Sequence, residues 1–119
     1  MNRMVLCEYY QAASGKEPVR EFIDGLDLRS RLNFFMAREL LETFGPQLKR
    51  PHAAPLGQGL YELRFRGNQG HVRVLYFFFA GGKAILTNGL VKKVSAVPLH
   101  DIKIALQRRA DYLKQHGKS

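Results

Sequence analysis

The alternation of apolar and polar residues is most regular between residues 60 and 91, and it predicts a run of β-strands. Three segments follow this pattern: Leu60 to Arg66, His71 to Phe79 and Lys83 to Val91. Glycine-containing turns at 67–70 and 81–82 separate them, as in β-hairpins. The three segments are therefore predicted to form an antiparallel meander, and residues 4 to 10 to form a further short strand.

Two helices are predicted between the short strand and the meander. Pro18 sits in the first turn of a helix that ends near Gly25, where its missing N–H costs nothing. Asp27 is a suitable N-cap for a second helix, which Gly45-Pro46 ends. Apolar residues recur along the second helix at helical spacing, and this stripe is predicted to be core: Leu28, Leu32, Phe35, Met36, Leu40 and Phe44.

The stretch from Gly45 to Gly59 is predicted to be a loop because it contains three prolines and three glycines. His52 lies in it and is interpreted as a solvated loop residue rather than a ligand. A last helix is predicted to open at Pro98 and to end at Gly117. Six of its residues make one stripe along the helix: Ile102, Ala105, Leu106, Arg109, Tyr112 and Leu113.

Length and composition predict a single domain over residues 1–119. The chain is 45% apolar and 24% charged, which is ordinary globular usage. Cys7 is the only cysteine, so an intrachain disulfide is excluded, and the first residues do not resemble a signal peptide. No apolar run is long enough to cross a membrane. We therefore expect a cytoplasmic protein without a membrane partner.

The net charge of +9 narrows the class of partner. Such an excess of Lys and Arg on a small domain favours polyanions through electrostatic steering and counterion release. Nucleic acid, the ribosome or an acidic protein is therefore an expected partner, although basic residues also serve solubility alone.

The first predicted hairpin places like charges opposite one another. A symmetric turn pairs Arg64 with Arg73 and Arg66 with His71, and the next turn brings Lys92 opposite His71. Like-charge pairs in a sheet cost on the order of 0.2 to 1 kcal/mol each, so this basic cluster calls for an anion. Glu62 lies on the same face and offers a structural alternative, in which it neutralises one arginine.

The same face is predicted to become apolar further along the strands, where the first or last helix would cover it. The apolar positions are Leu60, Leu75, Phe77 and Leu86. A helix there would leave a basic concavity beside it.

Phosphate fits a cluster of Arg, Lys and His because arginine donates two parallel hydrogen bonds to it. RNA suits such a site without a metal, since its 2′-OH attacks the adjacent phosphate internally. The four histidines and Cys7 show no metal-ligand spacing, and nucleotide-binding and serine-hydrolase motifs are absent. No metal or cofactor is therefore expected.

Four segments together resemble the RelE/ParE superfamily, and specifically the phage-derived HigB-like toxins of type II toxin–antitoxin systems. They are LYELRF at 60–65, HVRVLYFFF at 71–79, GGKAILTNGLVKK at 81–93 and PLHDIKIALQRRADYL at 98–113. The resemblance covers roughly residues 1 to 115. Two features depart from the family pattern: Asn88-Gly89-Leu90 replaces a His-Gly-Phe segment, and Val97 stands where relatives often have a capping Thr.

The resemblance implies a RelE-like α+β fold with two N-terminal helices packed on a small antiparallel sheet and a C-terminal helix. It also implies an mRNA interferase that cuts messages on the ribosome, with Arg64, Arg73, Lys92 and Lys93 as its catalytic residues. The implied protein partner is a helix-turn-helix, HigA-like antitoxin. That antitoxin would neutralise the toxin and link it to operator DNA, which the toxin itself does not bind.

In the corresponding hypothesis, Arg64 and Arg73 bind the scissile phosphate and stabilise its pentavalent state. Lys92 or Lys93 is then the general acid or a further electrostatic group, while Arg66, His71 and Glu62 complete the substrate-binding set. Three candidates for the general base stay open: Glu62, His71 and a lysine with a lowered pKa.

Two other functions fit the same residues. A non-catalytic protein could use the basic face to bind RNA or the ribosome, and cleavage products would separate it from an enzyme. The superfamily also implies ParE-like inhibition of DNA gyrase, for which DNA damage would precede the loss of translation.

Overall fold

The computed structural model describes residues 3–68, 70–92 and 96–117. Gln69 of a predicted turn and Lys93 of the predicted catalytic set lie outside the described residues. The elements in chain order are β1 (Leu6–Tyr9), α1 (Pro18–Asp24), α2 (Leu28–Phe44), a short 3-10 turn (Gly45–Gln47), β2 (Ala53–Gly57), β3 (Leu60–Gly67), β4 (Gly70–Phe79), β5 (Lys83–Lys92) and α3 (Leu99–His116). The α+β class and the C-terminal helix are confirmed.

The five strands form one mixed sheet in the order β1-β5-β4-β3-β2. Strand β1 runs parallel to β5, while the other neighbours are antiparallel. The prediction of a wholly antiparallel sheet was therefore wrong, whereas α1 and α2 follow β1, the short strand predicted at residues 4 to 10. The connection from β1 to β5 runs through two helices and three strands, so no tight turn imposes an antiparallel pair.

Strand β2 occupies part of the stretch that the sequence predicted to be a loop. It pairs with β3 at the edge of the sheet and contains Pro55. Proline is tolerated on an edge strand because one side of that strand needs no backbone N–H donor. The prolines and glycines that predicted a loop are thus compatible with an edge strand.

Helices lie on both faces of the sheet. On one face, α1 and α2 bury a cluster that includes Val19, Ile23 and Phe34 against Leu63 and Val74. On the other face, α3 covers a second set of core residues, which comprises Tyr10, Leu60, Leu75, Phe77, Ile85, Val97, Ala105 and Tyr112. The last helix therefore covers the apolar part of the face that carries the basic cluster. No helix of the described residues is long and apolar enough to span a bilayer.

The predicted core stripe of α2 is the largest error in the sequence analysis. The helix and its Asp27 cap are confirmed, since the Asp27 carboxylate accepts a hydrogen bond from Ser30 N. However, the residues that α2 buries are Ser30, Phe34, Ala37, Leu41 and Glu42. The predicted stripe lies on the opposite side of the helix, where most of it is exposed.

Two adjacent phenylalanines test this orientation of α2. Phe34 is fully buried against Phe65, whereas half of the Phe35 side chain is exposed. Phe34→Leu should therefore lower the free energy of unfolding by about 1 to 2 kcal/mol through lost packing. Phe35→Leu, the matched control, should change it by less than about 0.5 kcal/mol. Urea unfolding measures both, and the reverse order would show that α2 faces the other way.

The pairing of β4 with β5 contains a bulge that moves one predicted face residue. Arg73 pairs with Leu90 and His71 with Lys92, as predicted, but Tyr76 pairs with Leu86. Thr87 is the extra residue, and its hydroxyl donates to the carbonyl of Leu75. Leu86 consequently belongs to the core under α1 and α2 instead of the face under α3. The other three predicted apolar positions of that face are confirmed.

Candidate functional site

The β3–β4 hairpin pairs the charged residues as the sequence predicted. Arg64 faces Arg73, and Arg66 faces His71. Strand β5 then brings Lys92 opposite His71. Because alternate residues of a strand share a face, Glu62, Arg64 and Arg66 of β3 point to the same side of the sheet as His71 and Arg73 of β4.

Three of these side chains form a buried ionic cluster. Glu62, Arg73 and Lys92 are 7%, 3% and 6% exposed. The Arg73 Nε lies 2.8 Å from the Glu62 Oε1, and the Lys92 Nζ lies 4.0 Å from the same oxygen. Neither atom of the closer pair is aligned for a hydrogen bond with any described residue. The structural salt bridge left open by the sequence analysis is therefore present.

One carboxylate does not neutralise two buried cations. Glu62 carries one negative charge, whereas Arg73 and Lys92 carry two positive charges, and Arg64 adds a third nearby. The cluster therefore carries an unbalanced positive charge under the surface. This charge is costly, because buried charges destabilise a protein unless they are paired. An anion at this surface would balance it.

Burial and neighbouring positive charges lower the pKa of both buried cations. For Arg73 the main cause is desolvation, followed by repulsion from Arg64, with Glu62 acting in the opposite direction. Burial is also the main reason why the pKa of Lys92 is lowered, and Arg73 and Arg64 add to the effect. A lysine with a lowered pKa releases its proton more readily than a solvated one.

An open cavity of about 310 Å³ lies against this cluster. Its walls are formed by Pro51, His52, Arg64, Phe65, Arg66, His71 and Arg73. Arg66, His71 and His52 are exposed, and Arg64 is partly exposed. The site thus has an accessible layer of Arg and His over a buried ionic cluster, and Arg73 belongs to both layers.

His52 is the site residue that sequence reasoning missed. Its carbonyl accepts a hydrogen bond from the Arg64 backbone N–H at 2.8 Å, which ties the segment before β2 to strand β3. This contact explains why His52 shares the cavity with Arg64. It joins residues far apart in sequence, so only a correct prediction of β2 could have revealed it.

The structure brings together most of the residues of the predicted site, but not all of them. Lys92 is buried in the ionic cluster and does not line the cavity, and Lys93 lies outside the described residues. Glu62 is held by Arg73 beneath the cavity. Within the described residues, no group of three or more His, Cys, Asp or Glu side chains could hold one metal ion.

The two segments that differ from the HigB-like pattern both lie where α3 meets the sheet. Asn88 is buried, and its amide donates to the carbonyl of Asp101 in the first turn of α3. Pro98 occupies the N-cap of α3 and Val97 is buried, so this helix end has no side-chain cap. Asn88 therefore stabilises the position of α3, and it does not line the cavity.

The comparisons with known proteins identify a family. No curated protein matches the chain. Residues 21–110 match the family model described as phage-derived protein Gp49-like (DUF891). The match spans more than half of the 119 residues and includes α2, the β3–β4 hairpin and the whole cavity wall. The chain therefore belongs to the phage-derived Gp49-like family.

Proposed function

We propose that this protein is the toxin of a type II toxin–antitoxin system and acts as a metal-independent endoribonuclease on mRNA. The observation that carries the proposal is the open cavity with three arginines and two histidines over an unbalanced buried cluster. The Gp49-like family is associated with RelE-like and toxin-like proteins, which supports the same function. The HigB-like branch and the RelE-like form of the fold are part of the proposal.

The arginines are proposed to stabilise the phosphate as it gains charge. Both arginines line the cavity, but Arg64 is partly exposed whereas Arg73 is buried. Arginine donates two parallel hydrogen bonds to phosphate oxygens, so the pair suits the doubly charged pentavalent phosphorus. The ion pair with Glu62 and the hydrogen bond that Arg73 Nη1 donates to the Val72 carbonyl restrain the Arg73 guanidinium, which limits its reorganisation during the reaction.

The two histidines are proposed to move the protons. One imidazole removes the proton of the 2′-OH, whose oxygen attacks the adjacent phosphorus, and the P–O5′ bond breaks. The other imidazole protonates the departing O5′. The products are a 2′,3′-cyclic phosphate and a 5′-OH end. His52 and His71 both line the cavity, whereas Glu62 is held in the ionic cluster and is not the base in this mechanism.

Lys92 keeps an electrostatic role in this mechanism. It lies under the cavity, 4.0 Å from Glu62, and adds positive charge beneath the phosphate site. The proposal also includes two roles predicted from the sequence. Lys93 is a catalytic residue, and Arg66 binds substrate.

The proposed partners and setting follow from the toxin function. They are mRNA on the ribosome, a helix-turn-helix antitoxin of the HigA-like kind and, through that antitoxin, operator DNA. The proposal places one toxin domain over residues 1–119 in the cytoplasm.

A second candidate is a protein that binds RNA or the ribosome without cutting. The burial of Lys92 outside the cavity wall favours it, because a buried cation attracts a polyanion at a distance without contacting the reacting atoms. Both candidates predict RNA binding that weakens as salt rises. Cleavage alone separates them.

The chemistry of the RNA ends tests the proposed reaction. The purified chain should cut RNA in EDTA, on its own or in the presence of ribosomes, and leave 2′,3′-cyclic phosphate and 5′-OH ends. Mass spectrometry of the fragments identifies these groups. Ends with 3′-OH and 5′-phosphate would contradict attack by the 2′-OH, and intact RNA under both conditions would favour the binding protein.

A further inference from the structure

The outer side of α2 carries a patch of exposed apolar side chains that the fold does not use. Leu28, Leu32, Phe35 and Met36, which we call the α2 stripe, are 63%, 55%, 49% and 67% exposed. Leu28, Leu32 and Met36 are spaced by four residues and Phe35 lies three residues after Leu32, so the four share one side of the helix.

The α2 stripe is not explained by the core of this protein. The core side of α2 is formed by Phe34, Ala37 and Leu41, which the sheet covers completely or almost completely. Folded monomers rarely expose several large apolar side chains in one contiguous patch, and such patches usually mark interaction sites. The α2 stripe is therefore a candidate interaction surface.

The charges beside the α2 stripe indicate the chemistry of its partner. With 3.6 residues per turn, Arg29 lies on one flank of the stripe, Arg31 and Arg38 lie on the other, and the exposed Glu39 lies one turn after Phe35. The ion pairs formed among the described residues include neither Arg29 nor Arg31. An apolar strip between arginines complements an amphipathic helix with acidic flanks.

A second copy of this chain is a poor occupant of the same surface. A symmetric dimer brings the same patch of both subunits together, so the flanking arginines of one copy would approach those of the other. Each copy also carries a net charge of +9. Charge complementarity thus favours an acidic partner.

The α2 stripe and the cavity lie on different sides of the sheet. Helix α2 packs on the face that contains Leu63 and Phe65, whereas Arg64 and Arg73 belong to the face that α3 covers. A helix docked on the stripe would therefore hold the chain without filling the cavity.

We propose that the α2 stripe is the docking surface for an acidic amphipathic helix of a partner protein. Under the proposed function, on which this assignment of the partner rests, that protein is the antitoxin encoded in the same operon. The helix places its apolar side on Leu32, Phe35 and Met36 and its carboxylates beside Arg29 and Arg31.

Titration with the operon-encoded antitoxin tests the proposal. The variants are Leu32→Asp/Met36→Asp on the stripe and Leu99→Asp as the matched control. Leu99 is 67% exposed, as is Met36, but it lies at the start of α3. The double variant should bind about 30-fold more weakly or worse, because central apolar contacts dominate such interfaces. The control should bind within about threefold of the parent chain.

A charge variant tests the acidic flanks separately. Arg29→Glu should weaken binding about tenfold, and the loss should shrink as salt rises, since the flanking charges are screened. A loss that does not change with salt would contradict acidic flanks.

Four outcomes would overturn the docking proposal. They are no complex with the parent chain, equal binding by the double variant, an equal loss in Leu99→Asp, and a parent dimer that the double variant dissociates. RNA cleavage by the same variants keeps the two proposals apart. If the double variant loses the antitoxin while no form of the chain cuts RNA, docking stands and the nuclease assignment fails. If it cuts RNA at the parent rate and still binds, docking fails alone.

Discussion

Replacing Arg64 by alanine should slow RNA cleavage by about 100- to 1,000-fold, the usual loss when one donor to a developing oxyanion is removed. Arg64 is the arginine of the β3–β4 hairpin that reaches the cavity while staying partly exposed. Its removal should leave the fold intact, since the Arg64–Arg73 pairing is repulsive and its loss relieves like charge. Single-turnover cleavage of a labelled RNA measures the rate.

Arg29→Ala is the matched control for Arg64→Ala. Arg29 is an exposed arginine on α2, on the other side of the sheet from the cavity. The Arg29→Ala substitution removes the same charge as Arg64→Ala, so any general effect of net charge on RNA binding appears in both variants. Equal cleavage by the two variants and the parent would exclude Arg64 from the reaction.

Replacing His52 by alanine should slow cleavage by about 100-fold or more, which is typical of the loss of one acid or base. The variant should also lose one limb of the pH–rate profile, because one of the two proton transfers no longer depends on a protein group. The rate of single-turnover cleavage across a pH series shows both effects. His71→Ala should remove the opposite limb.

His100→Ala serves as the control for His52→Ala. His100 is exposed at the start of α3 and does not line the cavity. If His52→Ala and His100→Ala share the parent profile, proton transfer in the cavity does not involve His52. A slower His52→Ala with an unchanged profile would show a positioning role instead.

The sequence was sufficient where the structure depends on local rules. The β3–β4 pairing follows from a tight turn and from strict alternation, so Arg64 and Arg73 were placed opposite each other correctly. The Asp27 cap and the Pro18 start of α1 are equally local signals. Each of these features involves residues that are close together along the chain or across one hairpin.

The sequence was insufficient where the structure depends on tertiary contacts. Helical spacing shows that Leu28, Leu32 and Met36 share a side of α2, but it does not show which side faces the sheet. Periodicity therefore assigned the stripe to the core, whereas Phe34 and Leu41 occupy it. The parallel pairing of β1 with β5 and the approach of His52 to Arg64 likewise join distant segments.

The bulge at Thr87 illustrates the same limit within a hairpin. The predicted pairs near the basic cluster are correct, yet Leu86 changes face because one residue is unpaired. Between the turn and the bulge the observed pairs differ from the predicted register by one position, and the extra residue restores the predicted register from the Leu75–Asn88 pair onward. The site lies on the side where the prediction holds.

The buried ionic cluster changes the roles that sequence position alone assigned. Arg64, Arg73 and Lys92 were equal members of one basic group, but burial separates them into an accessible arginine and two cations held around Glu62. Arg64 and Arg73 both line the cavity, so the proposed function gives them contact with the phosphate, whereas Lys92 does not line it. The proposed function assigns the background field to Lys92.

The most direct test adds the purified chain to a translating extract and maps mRNA 5′ ends by primer extension. Parent chain and Arg64→Ala are compared at equal concentration, with Arg29→Ala as the control. We expect new 5′ ends on translated messages with the parent and Arg29→Ala, and their loss with Arg64→Ala. Intact messages with the parent chain would contradict the nuclease function, and the same ends from Arg64→Ala would contradict the proposed site.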